Sequence, residues 1–249
     1  MDSRRPSEPQ RRLGLLGREP SFTRLFLATI GSGAGTWLAL VALEIDVYER
    51  TGSSAWIAAL LIADLLPTFA IGLLVGPLVD RLSRRSLMIN ADLVRFGAFA
   101  VLPFTTSAAQ VVVLAGIVGV ATGFFRPAVY AGLPNLVQDS DLPAANSLLQ
   151  GADNLTWALG SVAGGALAAA AGVDAAYWFN AATFLLSAAL LIGIPRSLLQ
   201  AAAAASRGHW QDVKDGFSLA VHSRPILTVL IAWNVAMFAI AAMNVAEPR

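Results

Sequence analysis

Cysteine is absent from this 249-residue chain, which excludes disulfide frameworks, thiolate metal sites and cysteine nucleophiles. Charge is scarce too: 13% of residues are charged against 56% hydrophobic, where a soluble domain has about a quarter charged. Histidine occurs only as His209 and His222 and lysine only as Lys214. The stretch His209-Trp210-Gln211-Asp212-Val213-Lys214 is no glycine-rich phosphate loop, so no nucleotidase, metal or cofactor is expected. A net charge of +1 gives no reason to expect nucleic acid. What the chain has instead is long apolar runs and a mean hydropathy of +0.64, the composition of an integral membrane protein.

Crossing the hydrocarbon core takes about 20 mostly apolar residues at ~1.5 Å each, and roughly seven stretches meet that need. They cover residues 22–43, 55–79, 87–106, 110–133, 145–171 and 175–195, with a seventh at 226–245. The runs exceed a barrel strand and are rich in Ala, Leu and Gly without polar alternation, so the expected fold class is an all-α membrane protein. Of the 17 basic residues, Arg95 and Arg126 fall inside spans and only Arg50 and Arg249 lie opposite the N-terminus; this asymmetry predicts a cytoplasmic N-terminus. Arg4 and Arg5 do not open an export signal, because Pro6, Glu8 and Pro9 stand where its apolar segment would begin. Residues 1–21 read as a basic, lipid-facing cytoplasmic tail. Residues 196–224, with Trp210, Val213, Phe217 and Val221 at helical spacing among charges, read as an amphipathic linker on the inner membrane face, serving as a connector or as a docking helix.

The loop between spans two and three is Gly76-Pro77-Leu78-Val79-Asp80-Arg81-Leu82-Ser83-Arg84-Arg85. Its small residues allow a tight turn, and an acid with three arginines sits at a helix terminus. It resembles the loop signature of the major facilitator superfamily, G-x-L-a-D-r-x-G-r-k/r, at Gly76, Leu78, Asp80, Arg81, Arg84 and Arg85, with Ser83 replacing the usual glycine. Asp92-Leu93-Val94-Arg95, Phe124-Phe125-Arg126-Pro127 and Ala144-Ala145-Asn146-Ser147-Leu148 are similar to the branch of macrolide-efflux and enterobactin-exporter-like proteins. Gly160-Ser161-Val162-Ala163-Gly164-Gly165 is similar to the antiporter signature G-P-x-x-G-G, with Ser161 in place of proline, which implies helix packing through Gly160, Gly164 and Gly165. The resemblance implies a six-helix N-terminal half-bundle at 22–195, a linker at 196–224, and a seventh span with an outer C-terminus at 225–249. Relative to the family's twelve spans, the chain is then truncated.

An ionisable side chain in the bilayer core costs at least about 2.5–3.5 kcal/mol on insertion scales, so one that persists is usually paired or lines a pathway. Asp92 and Arg95 share a helix face at i, i+3 and can pair. Asp153 lies at a similar depth in span five, so a cluster of Asp92, Arg95 and Asp153 is within reach, as a lock between helices or as part of a pathway. Asp64 stands about 18 Å along span two from Gly76, with no basic residue evident at its depth. It reads as a proton carrier or as a carboxylate facing a water-filled vestibule. Arg126, beside Pro127, either snorkels to the interface or meets an anionic group of a substrate. Glu44, Asp46 and Glu49 are expected to be solvated among headgroups.

The function this resemblance implies is secondary active transport: proton-coupled efflux of a small amphipathic solute by alternating access, in the bacterial inner membrane and without covalent chemistry. Its partners would be the lipid bilayer, the solute and protons, with a missing C-terminal half or a second copy. The alternative is a non-transporting membrane-anchored interaction subunit, or a half-transporter that needs a partner. The permease of a nucleotide-driven transporter ranks last, because the loop at 80–86 is too short to hold a coupling helix.

Overall fold

The longest helix, α1 (Pro20–Thr51), starts on a proline, whose missing N–H is no loss in a first turn. It ends at Gly52, whose φ of 61° turns its N–H onto the Tyr48 carbonyl at 2.7 Å. In this computed structural model, residues 14–74 and 82–200 are described, with single positions between 218 and 235. Among the described residues five more long helices follow α1: α2 (Ser54–Leu74), α3 (Arg84–Val101), α4 (Ala108–Gly132), α5 (Leu142–Ala171) and α6 (Val173–Ile192). Serines set two of the starts. The Ser83 hydroxyl accepts from the Ser86 N–H to cap α3, and Ser107 with Gln110 forms a capping box at α4. Among the described residues there is no strand.

The chain divides into two compact units, Met1–Ala204 and Ala205–Arg249. In the first, α1 packs against α5 and α6, α3 against α4 and α6, and α2 against α4, giving the neighbour order α2–α4–α3–α6–α1–α5. The reason α1 can serve two neighbours is its buried stripe of Phe22, Leu25, Ala28, Ser32, Gly35, Ala39, Ala42 and Asp46, which recurs every three or four residues along the helix. Helices α1, α2, α3, α4 and α6 are long and apolar enough to cross a membrane. The remaining helix, α5, has ample length at 30 residues but is diluted by Asn146, Gln150, Asp153 and Asn154. In the second unit, described positions such as Ser218, His222 and Ile231 are helical; the expected seventh span at 226–245 lies largely outside the described residues.

Two apolar clusters fill the six-helix unit. One, at the N-terminal end, joins Phe22, Leu25, Met88, Leu133 and Leu191; the other, at the opposite end, joins Leu43, Val47, Phe99, Leu102 and Phe184. The tail expected to face lipid contributes to the first. Residues 14–18 form a helical turn, Leu15 is buried in that cluster, and Arg18 reaches Asp141 at 3.4 Å. Burial of Leu15 outweighs the pull of the neighbouring charges toward water.

Candidate functional site

Between the two apolar clusters runs a polar layer. Moving along each helix, the step from one cluster to the other passes Ser32 in α1, Asp92 and Arg95 in α3, and Ser187 in α6, all of them buried. A cavity of about 160 Å³ opens in this layer, bounded by Ser32, Thr36 and Trp37, by Asp64 and Thr68, and by Arg95, Arg126 and Asp153. That is room for a handful of waters at about 30 Å³ each and well below the ~300–1,000 Å³ of a solute pocket. A wider depression of about 400 Å³ beside Val101, Phe104 and Val113, at the opposite end from the N-terminus, is lined by no ionisable group.

Arg95 is the centre of the layer. Its guanidinium forms an ion pair with Asp92, and the second carboxylate oxygen of Asp92 accepts from the Ser187 hydroxyl at 2.7 Å. The same guanidinium lies between two rings, 4.3 Å from the Phe125 centroid and 4.4 Å from that of Phe184, where the aromatic quadrupoles favour a cation. Among the described residues its Nε–H has no hydrogen-bond partner. Asp64, half-buried across the cavity, is not in an ion pair among the described residues, yet it interacts electrostatically with Arg95. The sequence shows no cation at its depth because α2 and α3 are brought level only through their shared neighbour α4. Pro67 lies inside α2 just beyond it, and the Thr68 hydroxyl, with one proton to give, lies 2.8 Å from the Asp64 carbonyl and 2.9 Å from that of Gly119 in α4.

The expected three-residue cluster is corrected. Asp153 pairs with Arg126 and not with Arg95: all three line the cavity, but the Arg95 guanidinium is buried between Phe125 and Phe184 and already paired with Asp92. That pairing also replaces snorkelling as the fate of Arg126. Asp46 is corrected as well. It is 5% exposed, not solvated, since α1 runs on to Thr51 and its buried stripe carries this residue into the bundle. There Asp46 accepts from Arg50 Nε at 2.7 Å and from the Tyr177 hydroxyl at 2.9 Å.

Of the antiporter-like glycines, Gly160 and Gly164 lie against the α1 backbone: a Cβ on Gly160 would stand 2.9 Å from the Ala34 carbonyl oxygen, and one on Gly164 would overlap Leu38. Gly165 is different, with Val41 Cγ1 4.0 Å from where its Cβ would be. Of the loop signature, Gly76, Leu78, Asp80 and Arg81 lie outside the described residues. Arg84 is buried at the start of α3, 3.5 Å from the Gln200 carbonyl. Arg85 donates to the Leu191 and Ile192 carbonyls at the end of α6. Sequence reasoning missed Tyr177 and the contact of Arg24 with the Gly193 carbonyl. It also missed the seam of Gly116, Gly119 and Gly123 along α4, against which α2 lies; the spacing of those three glycines at three and four residues was the available signal.

Comparison with known proteins gives a consistent picture. The family model described as Major Facilitator Superfamily matches residues 25–246. An uncharacterized MFS-type transporter, YfiS of Bacillus subtilis (strain 168), is 26% identical over 211 residues, covering 83% of this chain and 51% of that protein. The multidrug efflux pump Tap of Mycolicibacterium fortuitum is 30% identical over 181 residues, covering 68% of the chain and 44% of the pump. The putative bacilysin exporter BacE of Bacillus subtilis (strain 168) is 28% identical over 145 residues, covering 57% and 36%. Among solved structures, the peptide transporter POT in complex with sulfate shares the fold with a TM-score of 0.67 at 14% identity, covering 93% of this chain and 50% of that one. The chain spans about half the length of the relatives it matches.

Proposed function

The chain belongs to the Major Facilitator Superfamily, and from that premise we propose that it forms one half of a proton-coupled exporter of a small amphipathic solute. It works by alternating access in a bacterial inner membrane with its N-terminus in the cytoplasm. Asp64 is the observation that carries this reading. Two of the three carboxylates at the polar layer, Asp92 and Asp153, are matched by Arg95 and Arg126, and their charges cancel pairwise. Asp64 stands on the cavity as the negative charge left over. A proton or a positively charged solute neutralises it, and the two cannot do so at once; that exclusion is the elementary step of exchange.

The export direction is supported by what the relatives are named, a multidrug efflux pump and an exporter. Alternating access asks for helices that rock without losing contact, and the glycine-lined seams α1–α5 and α2–α4 provide backbone-to-backbone surfaces for that motion. The cavity in this unit is too small to enclose a whole solute: the charged end of a solute reaches Asp64 in the open cavity, and the remainder is enclosed by a second six-helix body, either a further portion of the transporter or a second copy.

Proton-linked binding tests the reading. The purified 249-residue chain in nanodiscs is titrated with a cationic amphipathic dye across a pH series, following anisotropy. Binding is expected to weaken as pH falls, because protonated Asp64 no longer attracts the dye. Asp64→Asn is expected to bind weakly at every pH. Dye binding that ignores pH in the wild type, or the same pH response in the variant, would overturn the assignment of Asp64.

A further inference from the structure

Three successive carbonyls close α6, and two arginines from different helices stand on them. Arg85 of α3 donates from Nε to the Leu191 carbonyl at 3.1 Å and from Nη2 to that of Ile192 at 2.5 Å. Arg24 of α1 donates from Nη1 to the Gly193 carbonyl at 2.5 Å. A Cβ on Gly193 would stand 3.2 Å from the Leu190 carbonyl oxygen and 3.3 Å from Arg24 Cδ, so the Arg24 side chain lies close over this residue. The end of a helix offers about half a negative charge, too little for two cations held within one turn of each other. Neither arginine is ion-paired with a carboxylate among the described residues. Each guanidinium has five N–H donors, and among the described residues Nη2 of Arg24 and Nη1 of Arg85 remain to be engaged.

The surroundings say which anion fits. At 100° per residue, Arg24, Leu27 and Gly31 lie on the side of α1 opposite the cavity-lining Thr29, Gly33 and Thr36. Leu27 is 49% exposed one turn above Arg24, and Ile192 is 58% exposed beside the carbonyls. Among the described residues nothing lies within 4 Å of where a Cβ on Gly31 would stand. An anion on the two arginines thus has an open apolar strip running from it along α1. We propose that Arg24 and Arg85 bind the phosphate of an anionic phospholipid headgroup, with the acyl chains along Leu27 and Ile192. The phosphate oxygens accept from both guanidiniums at once, which ties α1 and α3 to the end of α6 through a lipid.

The test uses the full chain in detergent, counting bound lipid by native mass spectrometry after exposure to equal phosphatidylglycerol and phosphatidylcholine. The wild type is expected to retain phosphatidylglycerol selectively. Arg24→Gln and Arg85→Gln should each lower that preference roughly fivefold, and Arg50→Gln, at the other end of the bundle, should leave it unchanged. Excess inorganic phosphate separates the two sources of the same chemistry: lipid that stays bound supports a headgroup site, and lipid displaced by phosphate alone overturns it. Absence of selectivity in the wild type, or full selectivity in the Arg24→Gln/Arg85→Gln double variant, also overturns it. If the double variant does not fold, hydrogen exchange of the wild type decides: residues 189–196 should exchange more slowly in phosphatidylglycerol vesicles than in phosphatidylcholine, and equal rates would refute the site.

Discussion

A guanidinium that is only 3% exposed persists in an apolar bundle because three separate groups answer its charge: the Asp92 carboxylate and the faces of Phe125 and Phe184. Removing one member of such a pair strands the other in low dielectric, a loss of about 3–5 kcal/mol. Arg95→Ala is therefore expected to lower the unfolding free energy by that order, and Asp92→Ala to recover part of it when combined with Arg95→Ala. Thermal and denaturant unfolding of the two single variants and the double variant measures the coupling; strictly additive losses would mean the pair contributes nothing. This pair was legible in the sequence because i, i+3 spacing on one helix fixes its geometry. Arg126 with Asp153, 27 residues apart, and Asp46 with Tyr177, 131 apart, were not. Their meeting depends on which helices become neighbours and how they rotate, and no local spacing encodes that.

Along whole helices, the residue that matters most is often the one with no side chain. Gly164 and Gly119 each lie where a Cβ would run into the backbone of the facing helix, Leu38 in α1 and Asp64 in α2. Gly165, one position on, meets only ordinary contact. Gly164→Leu is thus expected to cost about 1–3 kcal/mol by overpacking, or to prevent the α1–α5 contact altogether, whereas Gly165→Ala should melt within a degree or two of wild type. Size-exclusion profiles after graded heating distinguish the two, and equal tolerance at both positions would contradict the packing. Hydropathy made the helices themselves legible, since a run of about 20 apolar residues has few other solutions in a bilayer. It did not reveal that α1 extends to Thr51, because Glu44, Asp46 and Glu49 dilute the apolar signal over its last turns while the Asp46 network holds the helix in place.

For the molecule as a whole, the neighbour order α2–α4–α3–α6–α1–α5 leaves α2 and α5 as the two flanks of the six-helix unit, each with a broad surface that the unit does not cover. Only 6% of the apolar window of α2 is buried, and Ile62, Leu66 and Phe69, spaced at four and three residues, are 60%, 64% and 70% exposed. Hydrocarbon would satisfy that face. It would not satisfy α5, where Gln150 and Asn154 are exposed one turn apart and would meet lipid as polar groups without partners. A second helical body covering α5 removes that penalty, and the cavity of about 160 Å³ needs a second wall before it can enclose a solute. The 249-residue chain reconstituted by itself is accordingly expected to give no flux of amphipathic dye under an imposed pH gradient, and to exceed its monomer mass in detergent as copies cover one another's α5. Vesicle flux assays together with light scattering measure both quantities on the same preparation. Gradient-driven flux from a strictly monomeric chain would mean that six helices and their small polar cavity carry solute without a second wall, and the half-transporter reading would fall.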